Sequence, residues 1–257
     1  MSFALSRRQI VKGMAAGVPL AAVLADPVLA RAAGRSLQQV SMQTAGGQKV
    51  DAALAMPSRT PAPAVMLIHE WWGLNDQIMS ATADLGRRGY MALAIDLYNG
   101  QATGDPGEAQ RFLEEIDPSQ ATDTVMSWIG AIKNRPEATG KVGTVGWGFG
   151  GGWALNASIA SSVDATVIYY GKVNRPAPQL ARLKGPVLGH FAERDQWINT
   201  EMVSSFEKAM TEAGKPYEVY WYDADHGFAN PANKNYDGKD ARLAWSRTLD
   251  FYRQQLR

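Results

Sequence analysis

From Leu37 onward the chain alternates between short apolar runs and longer stretches with helical spacing. Leu37–Thr44 and Lys49–Met56 alternate apolar and polar side chains, the pattern of half-buried strands. Ala45-Gly46-Gly47 between them supplies a hairpin turn. Ala64–His69, Tyr90–Ile95, Lys141–Gly146, Ala165–Tyr170, Pro186–Phe191 and Glu218–Tyr222 are short and almost wholly apolar or β-branched. Strands of that composition are covered on both faces by helices. Helical candidates fall between them at Asp76–Arg88, Ala121–Asn134, Trp153–Ser162, Thr200–Ala213 and Asp240–Gln255. This alternation predicts an α/β domain with a mostly parallel central sheet and helices on both faces. No repeat or low-complexity tract divides it, and Pro57–Pro63 reads as a proline-marked loop.

The N-terminus breaks the pattern. Ser6-Arg7-Arg8-Gln9-Ile10-Val11-Lys12 has the form of a twin-arginine export signal, followed by a mildly apolar stretch from Gly13 to Ala25. Ala30-Arg31-Ala32 offers small residues for cleavage near Ala32. The same residues also fit a basic, partly apolar first helix. The stretch is short for a bilayer and contains Pro19, which argues against a permanent membrane anchor. The reading is an export signal over residues 1–33, engagement with the export machinery, a periplasmic destination, and a single domain over residues 34–257.

Composition narrows the function. With 257 residues, 46% hydrophobic, the chain can bury one sizeable core. The formal net charge is +1, and Arg7, Arg8, Lys12 and Arg31 against Asp26 leave the remainder slightly acidic. A domain of that charge is no polyanion binder, and a small-molecule substrate is expected rather than nucleic acid. The absence of cysteine excludes disulfides, thiolate metal sites and cysteine catalysis. His69-Glu70-Trp71-Trp72-Gly73 begins like a zinc-protease motif but lacks the second histidine, so neither metal nor cofactor is expected.

The chemistry-bearing segment is Val142-Gly143-Thr144-Val145-Gly146-Trp147-Gly148-Phe149-Gly150-Gly151-Gly152-Trp153. It leaves a strand, turns through glycines and enters a helix, which is the form of a nucleophile elbow with Gly146 and Gly150 as the flanking glycines. The tip is Gly148. The same letters fit a dinucleotide-binding G-x-G-x-x-G. Trp147 and Phe149 are bulky for a pyrophosphate cradle, however, and Asp164 follows too soon to hold a ribose. Downstream, Asp195 and His226 each follow a strand-like run, in the nucleophile–acid–histidine order of the α/β-hydrolase fold.

The segments His69-Glu70-Trp71-Trp72-Gly73-Leu74, Asp96-Leu97-Tyr98, Gly146-Trp147-Gly148-Phe149-Gly150-Gly151, Tyr169-Tyr170-Gly171 and His226-Gly227-Phe228, with the Asp195 loop, together resemble the dienelactone hydrolase family over nearly all of residues 45–257. The resemblance implies a hydrolase of small esters or lactones. It places the family's nucleophilic cysteine at Gly148, its acid at Asp195, its histidine at His226 and its active-site glutamate at Glu70. It assigns the oxyanion hole to the backbone N–H groups of Phe149 and Trp71. Two carboxylate-gripping arginines of the family would fall at Gly100 and Asn230, so dienelactone itself is a poor substrate candidate. Trp72, Tyr98, Trp147, Tyr170 and Trp197 are expected to line an aromatic pocket, although such residues also fill cores. With the nucleophile absent, covalent hydrolysis should be impaired. Acid–base chemistry by His226 and Glu70, or binding without catalysis, are the alternatives.

Overall fold

The protein is described here by a computed structural model covering residues 19–257. Arg7, Arg8 and the first part of the apolar stretch lie outside the described residues. The strands are β1 (Gln38–Gln43), β2 (Lys49–Ala55), β3 (Ala62–Ile68), β4 (Met91–Ile95), β5 (Ala138–Trp147), β6 (Ala165–Tyr169), β7 (Val187–Ala192) and β8 (Tyr217–Tyr222). They form one sheet in the order β1-β2-β4-β3-β5-β6-β7-β8. β2 runs antiparallel to both of its neighbours, and every pair from β4 to β8 is parallel.

The helices are α1 (Leu20–Leu24), α2 (Pro27–Arg35), α3 (Asp76–Arg87), α4 (Pro106–Glu115), α5 (Pro118–Lys133), α6 (Phe149–Ala160), α7 (Ala177–Leu180), α8 (Thr200–Glu212) and α9 (Gly238–Leu256). The apolar runs divide by the two-residue period of a strand. Val65 and Leu67 of β3 join a core with residues of α3 and α9. Ala64, Met66 and Ile68 face the other way, onto α5 and α6. Residues 20–35, of which all but Gly34 and Arg35 fall in the export signal expected over residues 1–33, form two helices packed on the first of these cores. Among the described residues no helix is long and apolar enough to cross a membrane.

The boundaries differ from expectation where caps and glycines decide them. α4 was not anticipated, and α5 starts before Ala121; both open on an aspartate cap followed by proline. Asp105 accepts from Glu108 N and Asp117 from Ser119 N, while Pro106 and Pro118 need no donor there. α6 starts at Phe149 rather than Trp153, because its first turn contains the elbow glycines, which read locally as helix breakers.

Those glycines are fixed by close backbone approach. A β-carbon on Gly146 would stand 2.0 Å from Gly150 O, and one on Gly150 would stand 2.3 Å from Ile68 O. Gly148 differs: its nearest contacts would be ordinary, at 3.8 Å, and only its φ of 52° disfavours a side chain. Gly146→Ala and Gly150→Ala should therefore each destabilise by about 3 kcal/mol or more, the upper end for overpacking. Gly148→Ala should cost about 1–2 kcal/mol, from backbone strain alone. Urea denaturation of the three variants checks this ranking, and an equal loss at all three positions would contradict it.

Candidate active site

The tip of the elbow lies between β5 and α6, where Gly148 adopts φ 52° and ψ −113°. Its N–H donates to Tyr169 O at 2.9 Å, which fixes the turn against β6. Gly148 is the N-cap of α6, so the Phe149 amide is among the helix's orphan donors, at its positive end. A β-carbon at Gly148 would stand 3.8 Å from His226 Nε2 and 4.0 Å from Tyr170 Cδ2. The tip thus has room for a side chain, and the imidazole faces that room.

His226 and Asp195 occupy the loops after β8 and β7. His226 Nδ1 lies 2.6 Å from Asp195 Oδ2, a short bond that leaves Nε2 toward the tip. The other carboxylate oxygen accepts from Trp197 N at 2.8 Å and Ile198 N at 2.9 Å. Burial pushes the Asp195 carboxyl up, but the His226 bond and charge and these two amides outweigh it and hold it below the ordinary range. Asn235 Nδ2 donates to His226 O at 3.0 Å, so the histidine's backbone is held as well as its ring. The Trp197 ring lies edge-on, 5.1 Å from the imidazole, and the residue is 69% exposed at the mouth of the site.

Glu70 follows β3 and is buried. Tyr170 OH donates to its Oε1 at 2.9 Å and Asn230 Nδ2 to its Oε2 at 2.8 Å. Burial raises the Glu70 pKa, partly offset by the donors Asn230 and Tyr170, the charge of His226 and a bond from Trp72. His69 sets the backbone here: its Nε2 accepts from Leu97 N at 3.1 Å, so Nδ1 carries the proton and donates to Glu70 O at 2.6 Å. Thr103 N donates to Trp72 O at 2.9 Å and ties down the following turn. Tyr170 sits at φ 38°, a strained value for a bulky residue, with its ring 5.1 Å from that of His226.

The structure therefore brings Gly148, Asp195 and His226 together, and Tyr170 joins this group to Glu70. Trp71 and Trp72, with ring centroids 4.5 Å apart, lie on the turn after Glu70. Two pocket expectations are corrected. Trp147 points into the core and stacks on Tyr169 at 5.2 Å, because it shares a strand face with Val145. Tyr98 is buried against His69 at 4.7 Å and Phe149 at 5.6 Å, so it supports the elbow from beneath, and the cavity it lines with Asp96 and Phe112 includes none of Glu70, Gly148, Asp195 and His226. Sequence reading noticed Asn230 only as a missing arginine. Its bond to Glu70, 160 residues away in the chain, has no local signature.

An eight-stranded sheet with one antiparallel strand, a glycine elbow after β5, an acid after β7 and a histidine after β8 define an α/β-hydrolase fold. The family profile described as "dienelactone hydrolase family" matches residues 50–256, and the chain belongs to that family. Carboxymethylenebutenolidase of Pseudomonas putida is 29% identical over 223 residues, covering 82% of this chain and 94% of the relative. A putative carboxymethylenebutenolidase of Methylorubrum extorquens is 30% identical, covering 97% of this chain and 93% of its own. The crystal structure of a putative dienelactone hydrolase from Klebsiella pneumoniae superposes with a TM-score of 0.72 at 23% identity, covering 85% of this chain and 99% of that one. The family is thus one of lactone and ester hydrolases.

The two carboxylates should oppose each other in pH dependence. Asp195, with its lowered pKa, stabilises the fold above the ordinary aspartate range, and this is lost as pH falls through the folded value. Glu70, with its raised pKa, contributes fully below the ordinary glutamate range, and this is lost as pH rises through the folded value. Glu70→Gln cannot ionise, so its stability relative to the unsubstituted chain should improve over the range in which pH rises above the ordinary glutamate value of about 4. Urea denaturation across that range measures the gap. A constant or opposite trend would remove Glu70 from the set of buried, proton-holding groups.

Proposed function

We propose that this protein hydrolyses a small, uncharged ester or lactone by direct attack of water, without an acyl-enzyme. The observation that carries this reading is the open tip, where a β-carbon on Gly148 would lie 3.8 Å from His226 Nε2. His226 Nε2 takes a proton from a water bound there, and the water oxygen bonds to the substrate carbonyl carbon. The developing oxyanion is held by the backbone N–H groups of Phe149 and Trp71. Asp195 fixes the imidazole tautomer and stabilises the imidazolium. Collapse of the tetrahedral intermediate breaks the bond to the leaving oxygen, which takes its proton from the imidazolium. Glu70, which burial keeps protonated to higher pH, is a second donor across Tyr170.

Trp71, Trp72, Trp197 and Tyr170 supply aromatic surface around the tip, which favours an apolar acyl or alcohol group. Gly100 and Asn230 carry no charge where the family resemblance places carboxylate-gripping arginines, and Asn230 is already engaged with Glu70. This favours a substrate without a carboxylate. The Arg7-Arg8 motif supports an exported, periplasmic location, which cell fractionation would check.

Loss of the nucleophile costs a triad hydrolase about 10⁶ in turnover and leaves roughly 10³–10⁴ over water. Gly148→Cys should therefore raise turnover of aryl esters and lactones by about 10³-fold or more, while Gly148→Ser should gain less because a hydroxyl needs a stronger base. His226→Ala should abolish the slow activity of the unsubstituted chain. If Gly148→Cys folds and gains nothing, and His226→Ala loses nothing, the site is a binding pocket and the hydrolytic reading fails.

A further inference from the structure

The hairpin formed by α1 and α2 stands where the sequence pattern ends a removable leader, yet it is built as part of the domain. α2 opens on an Asp26 cap that accepts from Val28 N at 2.8 Å, with Pro27 in its first turn. Val23 and Ala33 are 1% and 0% exposed and belong to the same core as Leu85, Trp245 and Leu249. A β-carbon on Gly34 would stand 3.3 Å from Met79 Cβ of α3, so the two helices meet at close range. Ser80 Oγ of α3 donates to Ala30 O at 3.4 Å. α2 then runs almost directly into β1, through Leu37 N donating to Gly34 O at 3.2 Å.

Leu20 and Leu24 also wall a cavity of about 300 Å³, whose far side includes Trp147, Tyr169 and Trp245. These aromatics lie directly behind the elbow: Trp147 precedes Gly148, and Tyr169 O holds the Gly148 N–H. A cut near Ala32 would fall inside α2, between buried Ala30 and buried Ala33. Peptidases act on exposed, extended chain, and a packed helix offers neither. The cut would also uncover an apolar, aromatic face.

We propose that residues 20–35 are a retained, docked helical hairpin that covers the apolar face behind the elbow. The occupant of that face is this segment of the chain itself.

Two measurements on the full chain test this. The protein is expressed with its own N-terminus in a host with twin-arginine export, and the folded product is examined by N-terminal sequencing and intact mass. A first residue at or before Leu20 supports retention, and a first residue near Ala33 overturns it. Separately, Val23→Asp is compared with Val28→Asp, since Val28 is 55% exposed on the same hairpin. Val23→Asp should lower Tm by about 5 °C or more and increase binding of a hydrophobic dye, and Val28→Asp should change neither. Equal behaviour of the two variants would show that the hairpin is not docked.

Discussion

Helix α6 can begin at the end of β5 because Gly146, Gly150 and Gly151 present no β-carbon to the backbone around them. Gly150 sits over the carbonyls of Ile68 and His69, and Gly151 sits against Gly171. β3, β5 and β6 therefore converge on one turn, and the residues that end those strands become neighbours. Glu70 follows β3, Gly148 follows β5 and Tyr170 follows β6. Any side chain at the flanking glycines would lift the helix off the sheet and part these groups. The site is thus a consequence of packing before it is a matter of side-chain chemistry.

The two carboxylates of the site are pushed in opposite directions by their surroundings. Asp195 accepts from an imidazole and two backbone amides, enough to overcome its burial. Glu70 receives neutral donors from Tyr170 and Asn230, and burial prevails. Carboxylates whose environments push their pKa values apart can divide acid and base roles between them. The difference lies in the donors' placement: the Asp195 loop turns its own amides inward, whereas Glu70 relies on side chains from distant elements.

This difference also governs what could be read in the sequence. The order Gly148, Asp195, His226 was legible because each residue follows an apolar strand run, and strand ends share one edge of a parallel sheet. The strands were legible for the same reason, since β3 and β4 are apolar on both faces. Trp147 was misplaced by reading its motif without its register; Val145 and Trp147 share one strand face, and that face is core. α4 was missed because it is short and polar and buries only Ala109 and Phe112, too few apolar residues to mark a helix. The Asn230–Glu70 bond joins the loop after β8 to the end of β3, and only the folded sheet brings those together.

The tip glycine bears on whether the site is working machinery. A side chain at φ 52° and ψ −113° costs roughly 1–3 kcal/mol, so a glycine there relieves strain that a nucleophile would impose. Strain relief explains why a glycine fits the tip, but it does not explain the rest of the site. A binding pocket has no need of a 2.6 Å His–Asp bond aimed at an open tip. Nor does it need a carboxyl buried among three donors, which an apolar residue of similar volume could replace at little or no loss of stability. Tyr170 is likewise kept in a strained conformation that joins Glu70 to His226. Polar groups kept buried and bonded around the tip support the proposed proton transfer. Hydrolysis by water, as proposed, would use all of them.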